Sequence, residues 1–152
     1  QKLKKLLYIV AQSVPFKPNY SKLARDLNIN RNMVADLMVY LEKAQLINIL
    51  RDDTHGISAL GKVDKIYLNN TNLAYALSDT TPDVGNVRET VFLSLLAPAQ
   101  TITSSSVADF RIGGLTFEVG GRNKTQKQIR DIGNAYLVND VCNIDFQILV
   151  DI

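Results

Sequence analysis

One cysteine, one histidine and no long apolar run set the first limits on this chain of 152 residues. With Cys142 alone no internal disulfide can form, which fits a reducing cytoplasm. Cys142 itself reads as a small apolar side chain buried on a strand. His55 stands beside Gly56 as a turn residue, so neither a catalytic triad nor a histidine-rich zinc site is expected. No stretch reaches the roughly 18 apolar residues of a membrane span. Leu6-Leu7-Tyr8-Ile9-Val10 is too short for a secretory signal and lacks a small-residue cleavage site after it. A membrane partner is therefore not expected. The net charge of +2 is too small by itself to argue for nucleic acid.

What is present is the composition of a globular protein, 46% apolar and 21% charged, long enough for one ordinary domain or two small ones. The basic residues are clustered. Lys2, Lys4, Lys5, Lys17, Lys22, Arg25 and Arg31 load the first third, and Arg122, Lys124, Lys127 and Arg130 form a second group. Such clusters suit local contact with phosphates, although most are solvated faces. Opening on Gln1 and stopping in an apolar run at Ile152, the chain reads as a piece of a longer protein.

Leu3, Leu6, Leu7 and Val10 recur at helical spacing and predict a first helix, ended by Pro15 and Pro18. Ser21 is the expected cap of a short second helix carrying Leu23, Ala24 and Leu27. Asn30 is the expected cap of a third, with Met33, Val34, Leu37, Met38 and Leu41 on its core stripe. A strand from Leu46 to Leu50, a tip at Asp52–Gly56 and a returning strand at Lys65–Leu68 follow. That order resembles a winged helix-turn-helix, most specifically in SKLARDLNINRNMVADLMVYLEKAQLI. In DNA-binding versions the third helix enters the major groove N-terminus first, which points to Asn30, Arg31 and Asn32 as base readers. The same module also serves as a protein–protein contact, and Asp36 and Glu42 add acid to that face.

Residues 1–70 are thus expected to form a winged helix-turn-helix domain, 71–82 a connection ending at Pro82, and 83–152 a second domain. In the second, Val87, Val91, Phe92, Leu95 and Leu96 predict one helix face, with Glu89 near the start and Pro98 beyond the end. Then comes VADFRIGGLTFEVGG, a hairpin around Gly113-Gly114. Side chains alternate along strands, so Asp109 and Glu118 fall on the polar faces of neighbouring strands. Two carboxylates so close call for a proton or a cation between them, which makes a divalent metal site the hypothesis to test. A short helix near Thr125–Asp131 and strands at 135–138 and 146–150 complete a small α/β domain with a mixed sheet. The chain as a whole is α+β.

The order of these elements and acids resembles the PD-(D/E)XK nuclease fold. The resemblance makes Glu89 the helix acid, Asp109 the strand aspartate and Glu118 the acid of the following strand. It implies Mg²⁺ held by such acids, here Asp109 and Glu118, with Gln128 as the polar helix residue. The lysine expected two places after the glutamate is missing, because Gly120 stands there. Lys124 and Arg122 in the next loop are the residues able to reach back. Both halves together, in phrases such as KVDKIYLNNTNLAYAL and NVRETVFLSLL, resemble the C-terminal region of prokaryotic AAA-family P-loop ATPases. That resemblance implies an N-terminal ATPase domain as partner in the same chain. Gly120–Thr125 lacks the leading glycine of a phosphate loop, so no ATP site is expected here. The missing lysine favours a catalytically degenerate module that binds DNA or a protein partner, with Arg122 and Lys124 beside Asn30, Arg31 and Asn32 as nucleic-acid contacts. The alternatives are a Mg²⁺-dependent nuclease using Glu89, Asp109 and Glu118, or a purely structural assembly domain.

Overall fold

A computed structural model describes residues 1–52 and 63–139. Most of the expected wing tip, His55, Cys142 and the strand expected at 146–150 lie outside the described residues. Within them the chain is mixed α+β, with five α-helices and one six-stranded mixed sheet. No helix among them is long and apolar enough to cross a membrane.

Helix α1 (Lys2–Ser13) buries Leu6, Val10 and Ala11. Helix α2 (Tyr20–Leu27) begins one residue before Ser21, and the cap is Asn19, whose side chain accepts from the Lys22 amide at 2.9 Å. It ends where Asn28 turns left-handed at φ 51°, a conformation that asparagine tolerates. In α3 (Arg31–Lys43) the Asn30 side chain does cap, accepting from the Met33 amide at 2.8 Å. Val34, Met38 and Leu41 are buried, whereas Met33, expected in the core, is 45% exposed at the first turn. Strands β1 (Ile47–Asp52) and β2 (Val63–Leu68) pair antiparallel. The apolar turn after them is a seven-residue helix, α4 (Thr71–Leu77), capped by Asn70.

Helix α5 (Val84–Leu96) is capped by Asp83 and sits a little rotated from its expected face. Thr90, Phe92, Leu93 and Leu96 are buried, while Val91 and Leu95 are exposed. An apolar run such as VFLSLL leaves the inward face to tertiary contacts. Strand β3 (Ile102–Ser104), three residues long and not foreseen, precedes β4 (Phe110–Ile112) and β5 (Leu115–Gly120). The helix expected near 125–131 is a single 3₁₀ turn, Gln126–Gln128, before β6 (Ala135–Asn139). Ile112 faces Leu115 across the Gly113-Gly114 turn, and Gly113 has φ +56°, which a two-residue type II′ turn asks of its first central residue.

The strand order is β2-β1-β3-β4-β5-β6. Among the described residues, strand β1 joins β3 in parallel through two residue pairs, Arg51 with Thr103 and Asp52 with Ser104. Beyond that joint β4 alone runs against its neighbours, and β5 and β6 are parallel. One core gathers α1, α2, α3 and the start of the sheet. A second gathers Phe92, Leu93, Leu96, Phe110, Ile112, Phe117 and Val119, together with Leu50 from β1 and Tyr67 from β2. The sheet therefore runs on through both halves, and the second core includes side chains from the first.

Candidate acid site at the hairpin

The hairpin register sets the site. Phe110 pairs with Phe117, so Asp109, one residue before β4, falls opposite Glu118. The Asp109 amide donates to the Phe117 carbonyl at 3.1 Å and extends the ladder by one step. Its side chain is held from two directions. Oδ2 accepts from the Val119 amide at 2.9 Å, and Lys65 Nζ on β2 approaches Oδ1 at 3.9 Å.

Glu118 is not on an open groove, as alternation along the hairpin suggested. Thr116 and Glu118 are as buried as the apolar set, and Glu118 is 1% exposed. Its Oε1 takes an ion pair from Lys124 Nζ at 2.5 Å, while Oε2 is buried and has no hydrogen-bond partner among the described residues. A carboxylate oxygen left in that state costs desolvation free energy unless something is there to meet it.

Lys124 reaches Glu118 by lying across Gly120. A Cβ built on Gly120 would stand 2.5, 2.6 and 2.8 Å from Lys124 Cγ, Cβ and Cδ, closer than carbon atoms approach. The glycine at the position where the resemblance calls for lysine is thus the space through which a lysine four residues later passes. At Gly121 a Cβ would meet the Arg88 guanidinium of α5 at 3.1 Å, so the Gly-Gly pair leaves room for two cations.

Glu89 on α5 completes the cluster. Its Oε2 accepts from the Tyr67 hydroxyl at 2.8 Å. Burial and the charge of Asp109 push its carboxyl above the usual value; the Tyr67 hydrogen bond and Lys65 oppose this, and Glu118 adds to it. The Lys124 ammonium is held above its ordinary value by its bond to Glu118 and by the charges of Asp109 and Glu89, against a smaller effect of burial. The Tyr67 hydroxyl is pushed far up, first by burial and then by Glu89, and stays a donor. Glu89, Asp109, Glu118 and Lys124 therefore share one electrostatic neighbourhood.

The remaining expected residues lie elsewhere or do other work. Gln128 donates through Nε2 to the Val107 carbonyl at 3.1 Å, tying the 3₁₀ turn to the segment before β4. Arg122 is exposed, and an open, shallow cleft beside it is lined by Asn123, Lys124, Thr125, Lys127 and Gln128. Asn30, Arg31 and Asn32 are exposed at the start of α3, which packs on α1, α2 and β1 rather than on the hairpin. Asn30 has committed its side-chain oxygen to the helix cap. Sequence reasoning missed Tyr67 and Lys65. Their signal was present as polar groups at alternate places in Lys65-Ile66-Tyr67-Leu68, one face of the returning strand.

Carboxylate oxygens are the ligand type of a hard cation such as Mg²⁺, and among the described residues the buried Glu118 Oε2 meets no polar partner. Among the described residues no group of three or more His, Cys, Asp or Glu side chains is arranged to hold a metal ion. Magnesium typically takes one or two carboxylates and completes its shell with water and substrate phosphate. Residues 1–84 match the model of a family described as a domain of unknown function, DUF8612. No curated protein and no solved structure matches the chain.

Proposed function

The chain belongs to that family, DUF8612, whose description names no activity, and from the site we propose a nuclease-type centre for phosphodiester hydrolysis in nucleic acid, with Lys124 as a relocated lysine. The observation that carries this is the path of Lys124 over Gly120 to Glu118. On sequence grounds the absent lysine favoured a degenerate module; a lysine arriving at the same place from the loop moves the balance toward catalysis.

Asp109 and Glu118 are the residues to hold Mg²⁺, which when bound supplies positive charge against the phosphate oxygens and lowers the pKa of bound water. The chain's own groups do the rest. Lys124 keeps its proton at Nζ, because three carboxylates favour the ammonium, so it acts as a fixed cation that orients water or phosphate and not as a base. Glu89, with its carboxyl pushed up, takes a proton more readily than an ordinary glutamate. Arg122 and Lys127, exposed beside the site, are suited to the flanking phosphates.

The element order supports the two parts of this reading. Three helices followed by a strand pair agree with a winged helix, whose exposed Arg31 and Asn32 would address DNA. A helix, three strands, a helical turn and a parallel strand agree with a nuclease-like half. In the resemblance to AAA-family ATPases, this unit would deliver its site to nucleic acid handled by an ATPase domain of the same protein.

Plasmid cleavage with Mg²⁺ or Mn²⁺ tests the proposal. Wild-type protein should cut, and Asp109→Ala or Glu118→Ala should abolish cutting. Lys124→Ala should lower the rate about a hundredfold, in the range of a lost charge-stabilising group. Adding Gly120→Lys to Lys124→Ala should restore part of it, since the side chain would return to the position the resemblance predicts. No metal-dependent cutting by the wild type overturns the proposal. The binding-module reading has one observation in its favour: Lys124 already occupies the cation's place at Glu118 Oε1. Salt-sensitive duplex binding without cleavage would establish it.

A further inference from the structure

Two side chains from β2 face the acid site, although β2 belongs to the part of the chain that precedes α5. Tyr67 and Lys65 are two residues apart, so they project from the same face of the strand. Tyr67 donates to Glu89 Oε2 at 2.8 Å, and Lys65 Nζ is 3.9 Å from Asp109 Oδ1. The Tyr67 ring is fully buried and lies 5.6 Å from the Phe110 ring, at the start of β4. Phe110 directly follows Asp109. One tyrosine thus braces the helix acid through its hydroxyl and the strand aspartate's neighbour through its ring. The family match covers residues 1–84, so Tyr67 and Lys65 fall inside it while Glu89, Asp109, Glu118 and Lys124 fall after it.

We propose that Tyr67 is a positioning residue of the acid site, fixing the Glu89 carboxylate by its hydroxyl, so that the site is composite and incomplete without the N-terminal half. This rests on the reading of the acids as a cation-holding site, in which Glu89, electrostatically coupled to Asp109 and Glu118, adds its charge to the field of the cation that those two would hold. Hydrogen-bonded supports of metal-site carboxylates are worth about 10–100-fold in metal affinity or activity when removed. A hydroxyl anchored by a buried ring is such a support, because its donor direction is set by packing.

The test is Tyr67→Phe in the whole chain, which keeps the ring against Phe110 and removes only the oxygen. Two readouts are needed: cleavage kinetics, and Mn²⁺ affinity by calorimetry, which requires no turnover. The expected result is a kcat about tenfold lower at unchanged KM for DNA, with Mn²⁺ affinity weakened by a similar factor. In a Glu89→Ala background the same change should alter Mn²⁺ affinity less than about twofold, because the hydroxyl acts through that carboxylate; a merely structural tyrosine would weaken both backgrounds alike. Wild-type Mn²⁺ affinity and kcat in Tyr67→Phe, or an equal loss in both backgrounds, overturns the inference. If wild type binds Mn²⁺ but does not cut, nuclease activity falls while the calorimetry still decides the role of Tyr67. If it binds no Mn²⁺, both fall.

Discussion

Replacing Lys124 by methionine keeps an unbranched stem over Gly120 and removes the charge that meets Glu118. The two partners are unequally placed, with side chains 37% and 2% exposed. Breaking a buried pair from one side costs about 3–5 kcal/mol, and an exposed pair is worth about 0–1 kcal/mol. With Glu118 buried but Lys124 partly screened by water, the cost falls between these limits, at about 2 kcal/mol. For a chain of this size each kcal/mol moves Tm by about 2–4 °C, so Lys124→Met should melt about 4–8 °C lower. Differential scanning calorimetry near neutral pH measures this directly. The second arm is the double-mutant cycle with Glu118→Gln, where the same lysine change should cost about 1 kcal/mol less, since no carboxylate is left stranded. A Lys124→Met protein within about 0.5 kcal/mol of wild type, or one equally destabilised in the Glu118→Gln background, refutes the reasoning. Either result would mean that the ion pair carries no stability and that the lysine is free to leave the glutamate.

Further predictions concern the same neighbourhood. Burial and Asp109 raise the folded-state pKa of Glu89, so its neutral form stabilises the fold at pH values below the unfolded value of 4.5, and that contribution is lost as pH rises through the folded value. Glu89→Gln, a mimic of the neutral acid, should therefore raise Tm at about pH 7 and leave it unchanged near pH 4; a lower Tm at neutral pH contradicts the assignment. Gly120→Ala should lower Tm and cleavage together, because its Cβ would collide with the base of the Lys124 stem. Gly114→Ala, with nothing within 4 Å of its Cβ, should be neutral or stabilising by about 0.4–1 kcal/mol in the same melting assay.

Local chemistry explains which features could be read from the sequence. Asp109 and Glu118 were legible as neighbours because a two-residue Gly-Gly turn fixes the register, and register fixes which residues face each other. Asn30 was legible as a cap because its side-chain oxygen is matched to a donor only three residues away. Lys124 was legible only as a residue within reach, since nothing local says that its stem crosses Gly120. Tyr67 was legible only as a polar group on one face of its strand, because its partner Glu89 is brought to it by tertiary contact through a sheet that joins two distant parts of the chain. The burial of Glu118 was missed for a related reason: alternation predicts one wet face, but both faces of β5 are covered. Strand β3, at three residues, is too short for any period to declare itself.

Leu50 and Tyr67 plug the core that Phe92, Phe110 and Phe117 build. A cut made where the family resemblance stops, at residue 84, would leave that aromatic cluster with a gap on one side and the other fragment with two greasy side chains turned to water. The frontier drawn by kinship and the frontier drawn by heat are therefore different lines in this protein. The first 84 residues of this chain carry, in one tyrosine and one leucine, the stopper for a neighbouring chamber.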